Sequence, residues 1–185
     1  MIDDVLTDAA RRMDKSVETA KHEFTTIRTG RASAALLDRI QVSAYGTKMP
    51  VNQLATISVP EPRLLTITPF DKSIMKDIER AIQESDLGLT PSNDGQIIRL
   101  PIPQLTEERR KELVKQVRHM AEEGRVAARN VRRDAGHHLK KLEQDGDAGA
   151  DDVHRAEDRL QKVTDEHVQR IDTALKAKEA EIMEV

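Results

Sequence analysis

The sequence predicts an α+β protein of two domains, an elongated three-helix bundle with a small β/α/β domain inserted into it. Three observations carry this. Apolar residues recur at alternating steps of four and three near both ends of the chain, which is a helical period. Between residues 31 and 105 the texture changes to β-branched runs cut by glycine and proline. Three long amphipathic segments each need a partner for one apolar stripe, and a bundle provides all of them within one chain, so a monomer is expected. The expected domains are 1–29 with 106–185 for the bundle and 30–105 for the insertion.

The first helix is expected over about 2–28, with Ile2, Leu6, Ala9, Met13, Ser16, Ala20, Phe24 and Ile27 as its seam, stopped by Thr29-Gly30. Strands are expected in IQVSAYG, ATISV and LLTITPF, where Gly46, Pro60, Pro62 and Pro69 act as turn signals. A short helix follows, capped by Asp71 and carrying Ile74, Ile78, Ala81 and Ile82 on one face. LGLTPSNDG reads as a loop and IIRLPIP as a last strand, with Pro101 and Pro103 confining its end to an edge or connector. Thr106 then caps a second long helix, with Glu107 and Glu108 placed well for its N-terminal dipole. Its apolar face is read as Leu113, Val117, Met120, Ala127, Val131, Ala135 and Leu142. DGDAGADD breaks it, with Asp151 or Asp152 as the next cap, and a third helix carries Val153, Ala156, Leu160, Val163, Ile171, Leu175 and Ile182. Two segments must join the domains: Thr29, Gly30 and Arg31 on one side, and Pro101 to Thr106, with Pro103, Gln104 and Leu105, on the other. Twin short linkers permit a restricted hinge.

Composition narrows the function. Of 185 residues, 34% are charged and 2% aromatic, which suits long solvated helices. Only Phe24, Tyr45 and Phe70 are aromatic, which argues against a base-stacking RNA module. Without cysteine there is no disulfide framework, no thiolate nucleophile and no Cys-ligated zinc, and a reducing cytoplasm is the expected home. The acidic, amphipathic N-terminus lacks the pattern of a secretory signal, and no apolar run reaches a membrane span. No phosphate-binding loop, dinucleotide fingerprint, nucleophile elbow or zinc-protease motif is present, so neither an enzyme nor a cofactor is expected. DGDAGADD does not fill the ligand positions of a calcium loop, and the six histidines lack ligand spacing, so no metal is expected either. His167 falls on an apolar seam as a core histidine would.

The charge is unevenly placed. The net −3 resolves into −1 over residues 1–30, 0 over 31–105, +4 over 106–144 and −6 over 145–185. The basic excess sits on the second long helix, where Arg118, Arg125, Arg129, Arg132 and Arg133 keep within about 60° of one direction. Arginine suits phosphate because its planar fork stays charged and offers several donors, and a row at helical spacing can track a nucleic-acid backbone. The other reading is a solvated helix face on a helical interaction module, and spacing alone leaves both open.

The residues themselves go further. IRTGRASAALLD at 27–38, SDLGLTP at 85–91, IRLPIPQLTEERRKELVK at 98–115 and RNVRRDA at 129–135 closely resemble the ribosome recycling factor family of bacteria and organelles. That resemblance implies an L-shaped, non-enzymatic molecule of near-tRNA dimensions. It also implies partners: large-subunit ribosomal RNA near the aminoacyl and peptidyl sites, and the GTPase elongation factor G, with which it separates ribosomal subunits after termination. By matching motif, Arg129, Arg132 and Arg133 become rRNA contacts, with Arg110 beside them. Two positions depart from the family: Ala34 stands where relatives have proline, which bears on the hinge, and Ala44 where relatives often have a second aromatic.

Overall fold

The structure, a computed structural model, describes residues 1–184. The chain divides into two compact units, one of residues Met1–Arg28 with Thr106–Val185 and one of Thr29–Leu105.

In the first unit, α1 (Ile2–Thr25), α4 (Glu107–Gln144) and α5 (Ala150–Met183) pack against one another in all three pairings. At 1.5 Å per residue the two longer helices span about 57 and 51 Å. α1 stops earlier than the seam suggests. The hydroxyls of Thr25 and Thr26 donate back to the carbonyls of His22 and Glu23, each at 2.6 Å, and bind the last turn's free acceptors locally. Ile27 therefore lies beyond the helix. Thr106 caps α4 as expected, its hydroxyl accepting from the Arg109 N–H at 3.1 Å. α5 differs: its cap is Gly149, while Asp152 sits in the first turn and pairs with Arg155.

The buried face of α4 is Leu113, Val117, Ala121, Gly124, Ala128, Val131, Ala135 and Leu139. Met120, Ala127 and Leu142, expected there, are only half-buried. The reason is that α4 packs against two helices. Its buried arc is centred between them, and the closest approaches fall on the smallest residues, so a reading that favours bulk is displaced. The same displacement puts Val17 rather than Ser16 in the core, and Thr164 rather than Val163. Gly124 shows how close the approach is. A Cβ built on it would lie 3.0 Å from the Ala20 Cβ and 3.2 Å from the Ile171 Cδ1.

His167 is 7% exposed, with one ring nitrogen 2.7 Å from the Val163 carbonyl oxygen and the other 2.8 Å from Asp14 Oδ1. Arg170 donates to the same oxygen at 2.6 Å. The hydrogen bond from Arg170, and then that from His167, hold the Asp14 carboxyl below its ordinary 3.8. A depressed carboxyl contributes stability above its unfolded value and loses it as pH falls through the folded one. Asp14→Asn is therefore expected to lower the melting temperature at neutral pH, with the gap to the parent closing as pH falls below the ordinary carboxylate range. A gap that stays constant across a pH series of melts would remove this role.

In the second unit, β1 (Gln41–Ala44) and β2 (Thr47–Pro50) form a hairpin, and a single turn, α2 (Val51–Leu54), leads into the main sheet. That sheet comprises β3 (Ala55–Glu61), β4 (Leu64–Pro69), β5 (Ser92–Asn93) and β6 (Ile98–Pro101), antiparallel in the order β3-β4-β6-β5. Pro60 lies inside β3, tolerated because β3 is an edge strand. Pro101 belongs to β6, opposite Leu64. β6 is a central strand there only in part, since β5 pairs with it no further than Arg99. Asp71 caps the 3-10 turn Lys72–Ile74 that opens α3 (Met75–Glu84), its carboxylate accepting from the Ser73 N–H at 2.9 Å. Leu65, Ile67, Ile78, Ile82, Ile98 and Leu100 are fully buried at the centre of this unit's core.

The hinge residues distribute unevenly. Ala34 lies in a 3-10 turn (Ala34–Leu37) capped by Ser33, and Pro101 lies in a strand, so both are part of a folded element rather than linker. The Ala32 N–H donates to the Pro62 carbonyl at 2.7 Å and the Ile102 N–H to that of Arg63 at 2.8 Å, which ties both ends of the unit to the β3–β4 turn. Gly30 holds a left-handed φ of 77°, and a Cβ there would meet the Leu105 side chain at 3.3 Å and the Pro103 carbonyl oxygen at 3.7 Å. Thr29, Arg31 and Gln104 complete this group, and the chain crosses between units at Arg28–Thr29 and Leu105–Thr106.

Candidate nucleic-acid interface

Of the seven arginines of α4, the five from Arg118 to Arg133 share a direction but not a chemistry. Arg118 Nε donates to Glu179 of α5 at 2.7 Å, a bond that raises the arginine's pKa above its usual value. Arg125 Nε donates to Asp172 of α5 at 2.7 Å and its Nη1 to Glu122 at 2.8 Å. Its side chain is only 19% exposed. Burial opposes that charge, and the hydrogen bonds to Asp172 and Glu122 outweigh burial and raise the pKa. Both residues thus staple α4 to the acidic helix. They are poorly placed to release their donors to a polyanion.

Further along the helix the pairing fades. Arg129 is half-exposed and shares Glu122 at 3.5 Å. Arg132 bonds a neutral partner, the Gln161 side-chain oxygen, and has no carboxylate within 4.0 Å among the described residues. Arg133 is exposed and has no acidic partner among them either. Arg110, near the start of α4, is half-buried, and its Nε is sealed from solvent without a hydrogen-bond partner. The structure therefore brings Arg129, Arg132 and Arg133 into one available group and sets Arg110, Arg118 and Arg125 apart from it.

The formal +4 of residues 106–144 is concentrated accordingly. Lys111 pairs with Glu107, Arg109 with Glu112 and Lys141 with Asp145, while Asp134 is drawn away by Arg12 of α1. What remains uncompensated lies mainly between residues 129 and 140. Lys140 extends the row: it is exposed, without an acidic partner among the described residues. Its place one heptad beyond Arg133 was the available signal. Such a row offers charge-assisted hydrogen bonds at steps of about one helical turn, which positions a phosphate backbone without reading its bases.

A family model described as ribosome recycling factor matches residues 20–183. The chain is 63% identical over 180 residues to the ribosome-recycling factor of Rubrobacter xylanophilus, covering 97% of each. It is 57% identical over 185 residues to that of Halalkalibacterium halodurans, covering 100% of each. The solution structure of a ribosome recycling factor superposes with a TM-score of 0.73 at 44% identity, covering 100% of this chain and 98% of the other. A second similar structure has a TM-score of 0.63 at 45% identity, covering 100% of both chains. It is the ribosome recycling factor of T. thermophilus in models, with E. coli elongation factor G, bound to the E. coli post-termination complex.

Proposed function

The chain belongs to the ribosome recycling factor family, and we propose that with elongation factor G and GTP it separates post-termination ribosomes into subunits, freeing messenger RNA and tRNA. The observation that carries the RNA side of this reading is the exposed row of Arg129, Arg132 and Arg133, of which only Arg129 has a carboxylate nearby, on a helix whose Arg118 and Arg125 are already paired. Large-subunit ribosomal RNA is the polyanion it suits. The protein side rests on the relative bound alongside elongation factor G. The work is mechanical: the chain binds and transmits force, the GTPase supplies the energy, and no residue acts as a catalyst. A bundle whose helices are stapled by Arg118–Glu179 and Arg125–Asp172 resists bending under load. The two crossings at Arg28–Thr29 and Leu105–Thr106 are where a hinge belongs, with Gly30 and Leu105 beside them. The site of action is the cytoplasm, on the ribosome.

The test is subunit splitting followed by light scattering with purified ribosomes, the cognate elongation factor G and GTP. Splitting that requires all three components is expected. Its absence, with the chain folded and bound or unbound, would replace this reading with that of a helical adaptor whose arginines keep it solvated.

A further inference from the structure

The groove between α1 and α4 holds an open cavity of about 670 Å³, within the size range of small-ligand clefts. Its floor is aliphatic, made by Ala20, Met120, Gly124 and Ala127. The small residues that let the two helices approach leave no bulk to fill the space above them. The helices run antiparallel, since Arg12 meets Asp134 and Ala20 meets Gly124, and this grades the rim. Glu23 and Glu123 stand at one end, while Arg11, Arg12 and Lys15 gather at the other, across from Asn130. Arg11 and Arg12 are held by Asp8 and Asp134, at 2.6 and 3.0 Å. Lys15 is different: it is exposed, with no carboxylate within 4.0 Å among the described residues. The Asn130 amide is likewise exposed and makes no side-chain hydrogen bond among them.

This end of the groove adjoins the arginine row. Arg133, Asn130 and Ala127 are spaced by three, and each such step turns about 60° round a helix, so one ridge leads from the row over the exposed crest of α4 onto the cavity floor. We infer that the groove takes one unstacked nucleotide of the RNA whose phosphates lie on the arginines, with its base on the Ala127 floor and its phosphate at Lys15. The inference rests on the proposed ribosomal partner and extends it from phosphate contact to a base. Single-stranded bulges and loops offer such splayed bases. No ring is present to stack on, so the base gains from covering aliphatic surface and from its hydrogen-bonding edge. A primary amide carries a donor and an acceptor side by side, the pair that matches an adenine edge. A protein side chain would cover the floor as well, but it would strip water from Lys15 and Asn130 without replacing it. A nucleotide supplies the apolar plane, the polar edge and the negative charge together, on a strand already anchored at Arg133.

A photoreactive benzophenone amino acid at position 19, exposed on the rim of the cavity, is expected to crosslink to ribosomal RNA in the complex of the full chain with purified post-termination ribosomes. Crosslinking to protein alone, or to nothing, would overturn the inference. Asn130→Ala is expected to weaken ribosome binding about tenfold at every salt concentration, with the salt slope and the melting temperature unchanged, as the loss of a base contact does. Lys15→Ala is expected to take about 0.7 from the slope of log affinity against log salt, as the loss of one phosphate contact does. Binding of Asn130→Ala within about twofold of the parent, or a Lys15→Ala slope equal to the parent's, would leave the groove without a nucleotide and end the inference. A parent chain that does not bind ribosomes would instead refute the function proposed above.

Discussion

Replacing Arg129, Arg132 and Arg133 together with alanine is expected to weaken ribosome binding by about a hundredfold or more, and to flatten its dependence on salt. Each side chain offers hydrogen bonds between charged groups worth about 1–3 kcal/mol, so three losses exceed about 3 kcal/mol even when they overlap. Each phosphate contact removed should take about 0.7–0.9 from the slope of log affinity against log salt. The fold should be untouched, because these side chains are exposed and their ion pairs are weak or absent. The paired control is Arg118→Ala with Arg125→Ala. It removes staples to Glu179 and Asp172, so it should lower the melting temperature more than the triple change does and leave most of the salt slope in place. Binding measured from low to moderate salt decides the matter. An unchanged slope in the triple variant would take the row out of the interface.

The second large effect concerns two glycines on one helix. Gly124→Val is expected to destabilise the bundle by about 3 kcal/mol, the upper part of the range for overpacking. A Cβ at that position already falls 3.0 Å from the Ala20 Cβ, which is tied to α1's backbone and has no rotamer to escape into. The Ile171 Cδ1 at 3.2 Å could yield, but Ile171 is itself fully buried. Gly136→Ala should do the reverse and stabilise by up to about 1 kcal/mol, because its Cβ would meet nothing within 4 Å while alanine is the better helix former. Adding Ala20→Gly should recover part of the loss at position 124 and have no such benefit with Gly136→Ala. Denaturant melts of the four variants test this, and equal signs at the two glycines would contradict the packing seen here.

Much of the fold was legible in periodicity. The change from a period of 3.6 to alternating β-branched runs and back located the insertion, and the capping roles of Thr106 and Asp71 hold in the structure. What could not be read was which residues make the closest contacts. Ala20 lay on the expected seam, but hydrophobicity otherwise points to bulk, whereas α4 buries Ala121 and Ala128 and leaves Met120 and Ala127 half-buried, and α1 buries Val17 in place of Ser16. The two-residue β5 and the short hairpin strand β2 carry too few residues to show alternation. Asp152 has the chemistry of a cap, but Gly149 takes the position because the turn ends three residues earlier.

The candidate interface divides along the same line. By itself the sequence determined that the positive charge lies on one helix, that five arginines share one face of it, and which family the motifs resemble. Only the tertiary structure decided which of those arginines are available. α5 brings Glu179 and Asp172 from more than forty residues away against Arg118 and Arg125, and brings uncharged Gln161 against Arg132. The identity of a side chain sets the charge it can carry, but the charge it can offer a partner depends on what already neutralises it, and that is set by helices meeting across the bundle.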